Sequence, residues 1–143
     1  MICDSQEGET PHYGLSIQIS QDVLVRIRGK FFNYSTINAH APTEDKSDIE
    51  KDDFYDGLRN LYDACPKHDV KLITGDLNAE IGKEAIHYST IGKEAYHQES
   101  NENGKRLIHL AASRNMVIGT TLFPHKDIHK ITWRTPDVHH SVK

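Results

Sequence analysis

A chain of 143 residues with 36% hydrophobic content is long enough for one packed domain and too apolar to read as disordered. Its formal net charge of −4 argues against a generally basic nucleic-acid clamp and leaves room for local basic patches. The longest apolar runs are far too short to span a bilayer, and the opening MICDSQEGET lacks the basic and apolar regions of a signal peptide, so no membrane association is expected. The two cysteines, Cys3 and Cys65, have neither metal-ligand spacing nor a disulfide framework, which makes a reducing compartment the expectation.

In chain order, residues 1–13 show little periodicity and read as an irregular N-terminal segment. Residues 15–19 alternate apolar and polar, as a half-buried strand does. Residues 23–28 continue with β-favouring side chains, Arg28-Gly29-Lys30 marks a turn, and Phe31–Ala39 forms a third strand, so the beginning reads as an antiparallel meander. Pro42 stops the ladder and sets Ala41 extended, which leaves His40 at a strand end. The next element is a helix capped by Ser47 or Asp48, with Asp48, Glu50, Asp52 and Asp53 near its positive end. Ile49, Phe54, Leu58, Leu61, Tyr62 and Cys65 recur at helical spacing along its expected buried face, and Pro66 ends it. The strand Val70–Thr74 then completes a strand–helix–strand order, which favours a mixed α/β architecture.

Residues 81–103 read as loop; the two IGKE tetrapeptides at 81–84 and 91–94 are too short to make a structural repeat. Asn103-Gly104 is a turn signal, Lys105–Arg114 a second helix with Leu107, Ile108 and Ala111 inward, and Met116–Thr120 a short strand. Residues 131–134 resemble one more strand, so the expected domain covers residues 14–137, followed by a tail at 138–143.

The stretch Val70–Glu80, VKLITGDLNAE, concentrates the chemistry. A buried strand that breaks at a glycine delivers the Asp76 carboxylate and the Asn78 amide to the rim where α/β proteins bind ligands. A carboxylate there can take a proton from an attacking water, and an amide can donate to a phosphoryl oxygen. The same spacing also makes an Asx turn, with both side chains bonded to the backbone. His40 can serve as acid, base or phosphate donor, or face solvent. Trp133 can stack on a base or pack a core. Arg26, Arg28, Lys30, Lys126, Lys130 and Arg134 can touch phosphates or simply form solvated faces. His125 and His129 are four apart, but they flank Asp127 in a loop opened by Pro124, which is poor support for a metal pair.

Two runs, Ile37-Asn-Ala-His-Ala-Pro-Thr and Thr74-Gly-Asp-Leu-Asn-Ala-Glu-Ile-Gly, resemble the endonuclease/exonuclease/phosphatase superfamily. They are most similar to the apurinic-like endonuclease domain of non-LTR retrotransposons and to related sequences labelled craniofacial development protein 2-like. Pro66-Lys-His-Asp-Val, Glu99-Ser-Asn-Glu-Asn-Gly, Ala111-Ala-Ser-Arg-Asn and Phe123-Pro-His-Lys-Asp-Ile-His-Lys-Ile-Thr-Trp look like that branch too, and the resemblance runs from Asp22 to Asp137. It implies a sandwich of two mixed sheets with flanking helices, of which this chain would hold part. It also implies phosphodiester hydrolysis of DNA with Mg²⁺. By resemblance Asp76 orients or deprotonates the attacking water, Asn78 hydrogen-bonds the scissile phosphate, and His40 stands where many relatives carry a tyrosine. Asn38 and Trp133 fall among the substrate-binding positions. The resemblance also sets out what is missing. Family members carry a Gln-Glu strand whose glutamate binds the metal. Gln6-Glu7 has those residues, but too few separate Glu7 from His40 for the intervening strands, so the metal ligand is unassigned. They close on an aspartate and a final Asp-His pair; Asp137, His139 and His140 lack that context. The expectation is a truncated domain with little or no activity of its own, or alternatively a non-catalytic module that binds nucleic acid or protein. A nuclear address would follow only from the family, since the chain has no basic localisation cluster.

Overall fold

A computed structural model describes residues 13–19 and 22–124. They belong to two compact units that divide between Ala79 and Glu80.

In the first unit the strands β1 (Tyr13–Ile19), β2 (Asp22–Ile27), β3 (Tyr34–His40) and β4 (Val70–Asp76) form one sheet in that spatial order. The β1–β2 and β2–β3 pairs are antiparallel, while β3 and β4 are parallel and joined through helix α1 (Asp48–Ala64). The expected meander followed by strand–helix–strand is therefore present, and the sheet is mixed. Alternation along β3 is strict: Ser35, Ile37 and Ala39 are buried, whereas Tyr34, Asn38 and His40 are exposed. That pattern gives the sheet one face under α1 and one open face.

Helix α1 starts in a capping box. Ser47 Oγ accepts from the Glu50 N–H at 3.3 Å, and the Ser47 N–H donates to Glu50 Oε2 at 3.1 Å. Its buried positions are Lys51, Tyr55, Leu58 and Leu61, continued by Cys65 past its end. This corrects the expected face, because Ile49 is 73% exposed and Phe54 and Tyr62 are half-buried. The cause is Lys51, whose stem lies inside while its ammonium donates to the Glu44 carbonyl at 2.6 Å. A polar letter thus occupies a core position that apolar periodicity cannot register. The third strand is also later than expected, beginning at Tyr34 and leaving Phe31 and Phe32 in the connection from β2. Strand β4 in turn runs on to Asp76.

In the second unit, helix α2 (Glu102–Ser113) follows a long connection that contains the 3₁₀ turn Ala85–His87. Its buried residues include Ile91, Ile108, Leu110 and Ala111. Asn103-Gly104 is not a turn but the first turn of α2. Asn101 caps it by accepting from the Gly104 N–H at 2.7 Å and from the Glu80 N–H at 3.0 Å. A Cβ on Gly104 would lie 2.1 Å from the Glu80 carbonyl oxygen, so the glycine answers to packing. Ile108 and Ala111 are buried as expected, whereas Leu107 is only half-buried and Leu110 joins the core in its place. The expected strand at 116–120 is reduced to one parallel bridge between Ile91 and Ile118, followed by a 3₁₀ turn at Gly119–Thr121. Residues 131–134 lie outside the described residues.

Candidate functional site at the parallel strand ends

The register of β3 against β4 pairs Asn38 with Thr74, Ala39 with Gly75, and His40 with Asp76. Directly paired residues share a face, so Asn38, Thr74, His40 and Asp76 all stand on the open side of the sheet. His40 and Asp76, which are 36 residues apart in sequence, end their strands next to each other.

Three features hold this end together. Gly75 takes φ +118°, and a Cβ there would lie 2.0 Å from the Ala39 carbonyl oxygen, so only glycine lets β4 approach β3 this closely. The Ala41 N–H donates to the Asp76 carbonyl at 2.9 Å, which extends the pairing one step beyond His40. Asn78 then turns back with φ +46°, a left-handed conformation that asparagine tolerates better than most residues. Its N–H donates to Asp76 Oδ1 at 3.0 Å and its Nδ2 donates to the Ala41 carbonyl at 2.8 Å. The Asx turn weighed from the sequence is thus present. It also does more than close a turn, because both backbone polar groups of Ala41 are bound by the Asp76–Asn78 segment.

Chemically, the rim offers an exposed carboxylate steadied at one oxygen, beside an exposed imidazole and near an exposed carboxamide at Asn38. Such a pair can receive and return a proton on a bound water or a polar ligand. A divalent ion is a different matter. Among the described residues no group of three or more His, Cys, Asp or Glu is placed to hold a metal. One carboxylate with one imidazole is not the oxygen-rich set that Mg²⁺ prefers. The described residues therefore do not fit the implied Mg²⁺, and no chemical step is routed through it. Glu7, His125, His129, Trp133, Asp137, His139 and His140, together with Lys126, Lys130 and Arg134, lie outside the described residues.

The basic residues divide by what they touch. Arg26 is engaged by an acid. Its guanidinium binds the Asp69 carboxylate in bidentate fashion, at 2.6 and 3.0 Å, and Ser35 Oγ donates to the same carboxylate at 2.8 Å. The Arg26 hydrogen bonds, with Ser35 assisting against the cost of burial, hold the Asp69 carboxyl below its ordinary range. Lys71 donates to the Tyr62 carbonyl at 3.0 Å and lies 4.4 Å from that tyrosine's ring centre. Sequence reasoning missed both the Arg26–Asp69–Ser35 cluster and the Ala41 latch. The only signal for the cluster was an acid, Asp69, just ahead of an apolar strand.

No family model matches the chain. It is similar to craniofacial development protein 2 of Bos taurus, 36% identical over 124 residues, which is 87% of this chain. It is also similar to craniofacial development protein 2 of Tragulus javanicus, 35% identical over the same length. The chain spans 21% of the length of these curated relatives. Among the described residues, no helix is long and apolar enough to cross a membrane. The expected likeness to craniofacial development protein 2 sequences is borne out.

Proposed function

We propose that this chain carries the phosphate-facing rim of an endonuclease/exonuclease/phosphatase-type domain, related to the endonucleases of non-LTR retrotransposons, and that these 143 residues hydrolyse DNA weakly or not at all by themselves. The observation behind this reading is the β3–β4 register, which seats His40 beside Asp76 on an open face. In the proposed role Asp76 orients an attacking water and accepts its proton, and His40 donates to a phosphoryl oxygen. Asn78 steadies the Asp76 carboxylate through its N–H. Asn38, two residues before His40 on the same face, contacts the sugar–phosphate strand. The expectation of weak hydrolysis rests on the small number of ligands for a divalent ion among the described residues. Groups that act as a unit lose most of their effect when one is missing.

A second reading, a non-catalytic module that binds nucleic acid or protein, is favoured by one observation: the Asn78 amide donates to the Ala41 carbonyl and so serves the loop. Nicking of supercoiled plasmid in Mg²⁺ tests the first reading, with Asp76→Ala and His40→Ala as companions. Nicking close to background is expected, with any residue of it lost in both variants. Vigorous nicking that Asp76→Ala abolishes would contradict the weakness. Nicking that persists unchanged in Asp76→Ala would contradict the role of Asp76.

A further inference from the structure

At the end of β3 opposite His40, the connection from β2 reads Arg28-Gly29-Lys30-Phe31-Phe32-Asn33. Phe31 is 81% exposed and Phe32 62% exposed. This loop is built tightly. A Cβ on Gly29 would lie 2.1 Å from the Phe32 carbonyl oxygen, and the Asn33 carbonyl accepts from the Val70 N–H at 2.8 Å, which ties the tip to β4. Lys30 Nζ stands 5.5 Å from the Phe31 ring centre. On the open sheet face beside the loop, Ile27, Tyr34 and Val70 pair across three strands and remain partly exposed. The charges in the loop, Arg28 and Lys30, are both positive and exposed, while Asp69, the buried acid at this end of β4, is engaged by Arg26. Two consecutive exposed phenylalanines, with the Lys30 ammonium beside the first, are an unusual surface for a chain with a net charge of −4.

We propose that this hairpin tip is a stacking platform for an unpaired nucleic-acid strand, separate from the His40–Asp76 rim. Rings accept bases of any sequence on their faces, and the Lys30 ammonium beside Phe31, with the exposed Arg28 of the same loop, meets the phosphates between them. Charge complementarity selects a polyanion. A lipid surface is the weaker occupant, because stable attachment needs a broad apolar face together with a second anchoring signal, and a loop of two phenyl rings supplies neither. The preference for a nucleic acid over an acidic protein rests on the phosphodiester chemistry proposed above. The test needs no catalysis, so the two ideas fail separately.

The experiment is fluorescence anisotropy of a labelled oligothymidine titrated with the full chain. The original chain should bind with a salt-dependent Kd. Replacing both rings, Phe31→Ala with Phe32→Ala, should weaken binding about tenfold or more. The pair Phe31→Tyr with Phe32→Tyr, which keeps the stacking faces, should stay near the original. Lys30→Ala should weaken binding and flatten its salt dependence, and Ile49→Ala, at an exposed position of α1 outside both sites, should leave it unchanged. Three outcomes would overturn the proposal. One is no binding by the folded original chain. Another is binding indifferent to the ring pair. The third is ring-dependent attachment to phosphatidylserine vesicles without oligothymidine binding.

Discussion

Gly75 is the residue on which the rim depends most. Its positive φ and its contact with the Ala39 backbone leave no room for a methyl group, and the obstructing atoms are main-chain atoms that cannot rotate away. Gly75→Ala should therefore cost on the order of 3 kcal/mol or more by urea denaturation, combining left-handed strain with strand displacement. A variant with full stability would mean that β4 is free to shift away from β3. Asn78 offers a finer probe. Asn78→Asp keeps the size but sets a carboxylate oxygen against the Ala41 carbonyl, in place of a donor at 2.8 Å. A loss of about 1–3 kcal/mol is expected, whereas Asn78→Gly, which relieves the left-handed backbone, should lose less. Equal losses in the two variants would contradict the latch. At this scale the sequence exposed the chemistry of Asp76, Asn78 and His40. It did not expose the latch, because Ala41 takes part through backbone groups that any residue would supply.

Among the elements, the sheet was more legible than the helices. β-favouring runs set apart by turn signals mark the strands, and Pro42, which cannot donate to a ladder, located His40 at the end of β3. The buried face of α1 was displaced because Lys51 replaces an apolar residue and satisfies its ammonium on the Glu44 carbonyl. Asn103-Gly104 read as a turn because the requirement for glycine comes from the Glu80 carbonyl, distant in sequence. Leu58, fully buried on α1, should lose about 2–5 kcal/mol on Leu58→Ala, read from denaturant melts, whereas Ile49→Ala at an exposed site should lose far less. The Arg26–Asp69–Ser35 cluster predicts an acid limb of stability. The folded carboxyl of Asp69 titrates below its unfolded counterpart. Its contribution is therefore complete above the ordinary aspartate range and disappears as pH falls through the lowered folded value. Melting temperature followed downward from neutral pH should decline over that range, and Asp69→Asn should flatten the decline. An unchanged slope in Asp69→Asn would remove the cluster as its cause.

On the scale of the whole molecule, the mixed α/β order and the β3–α1–β4 crossover were readable because chain order restricts topology. The second unit was read less well. Its single bridge at Ile118 has none of the period that identifies a strand. The open face of the first unit links the two functional ideas, with the rim at one end of β3 and the aromatic tip at the other. An amide NMR titration of the full chain with a short blunt DNA duplex reads the rim residue by residue. The largest shifts should gather at Asn38, His40, Ala41, Asp76 and Asn78, and they should shrink in Asp76→Ala. Duplex binding that leaves those five resonances in place would contradict a phosphate-facing rim.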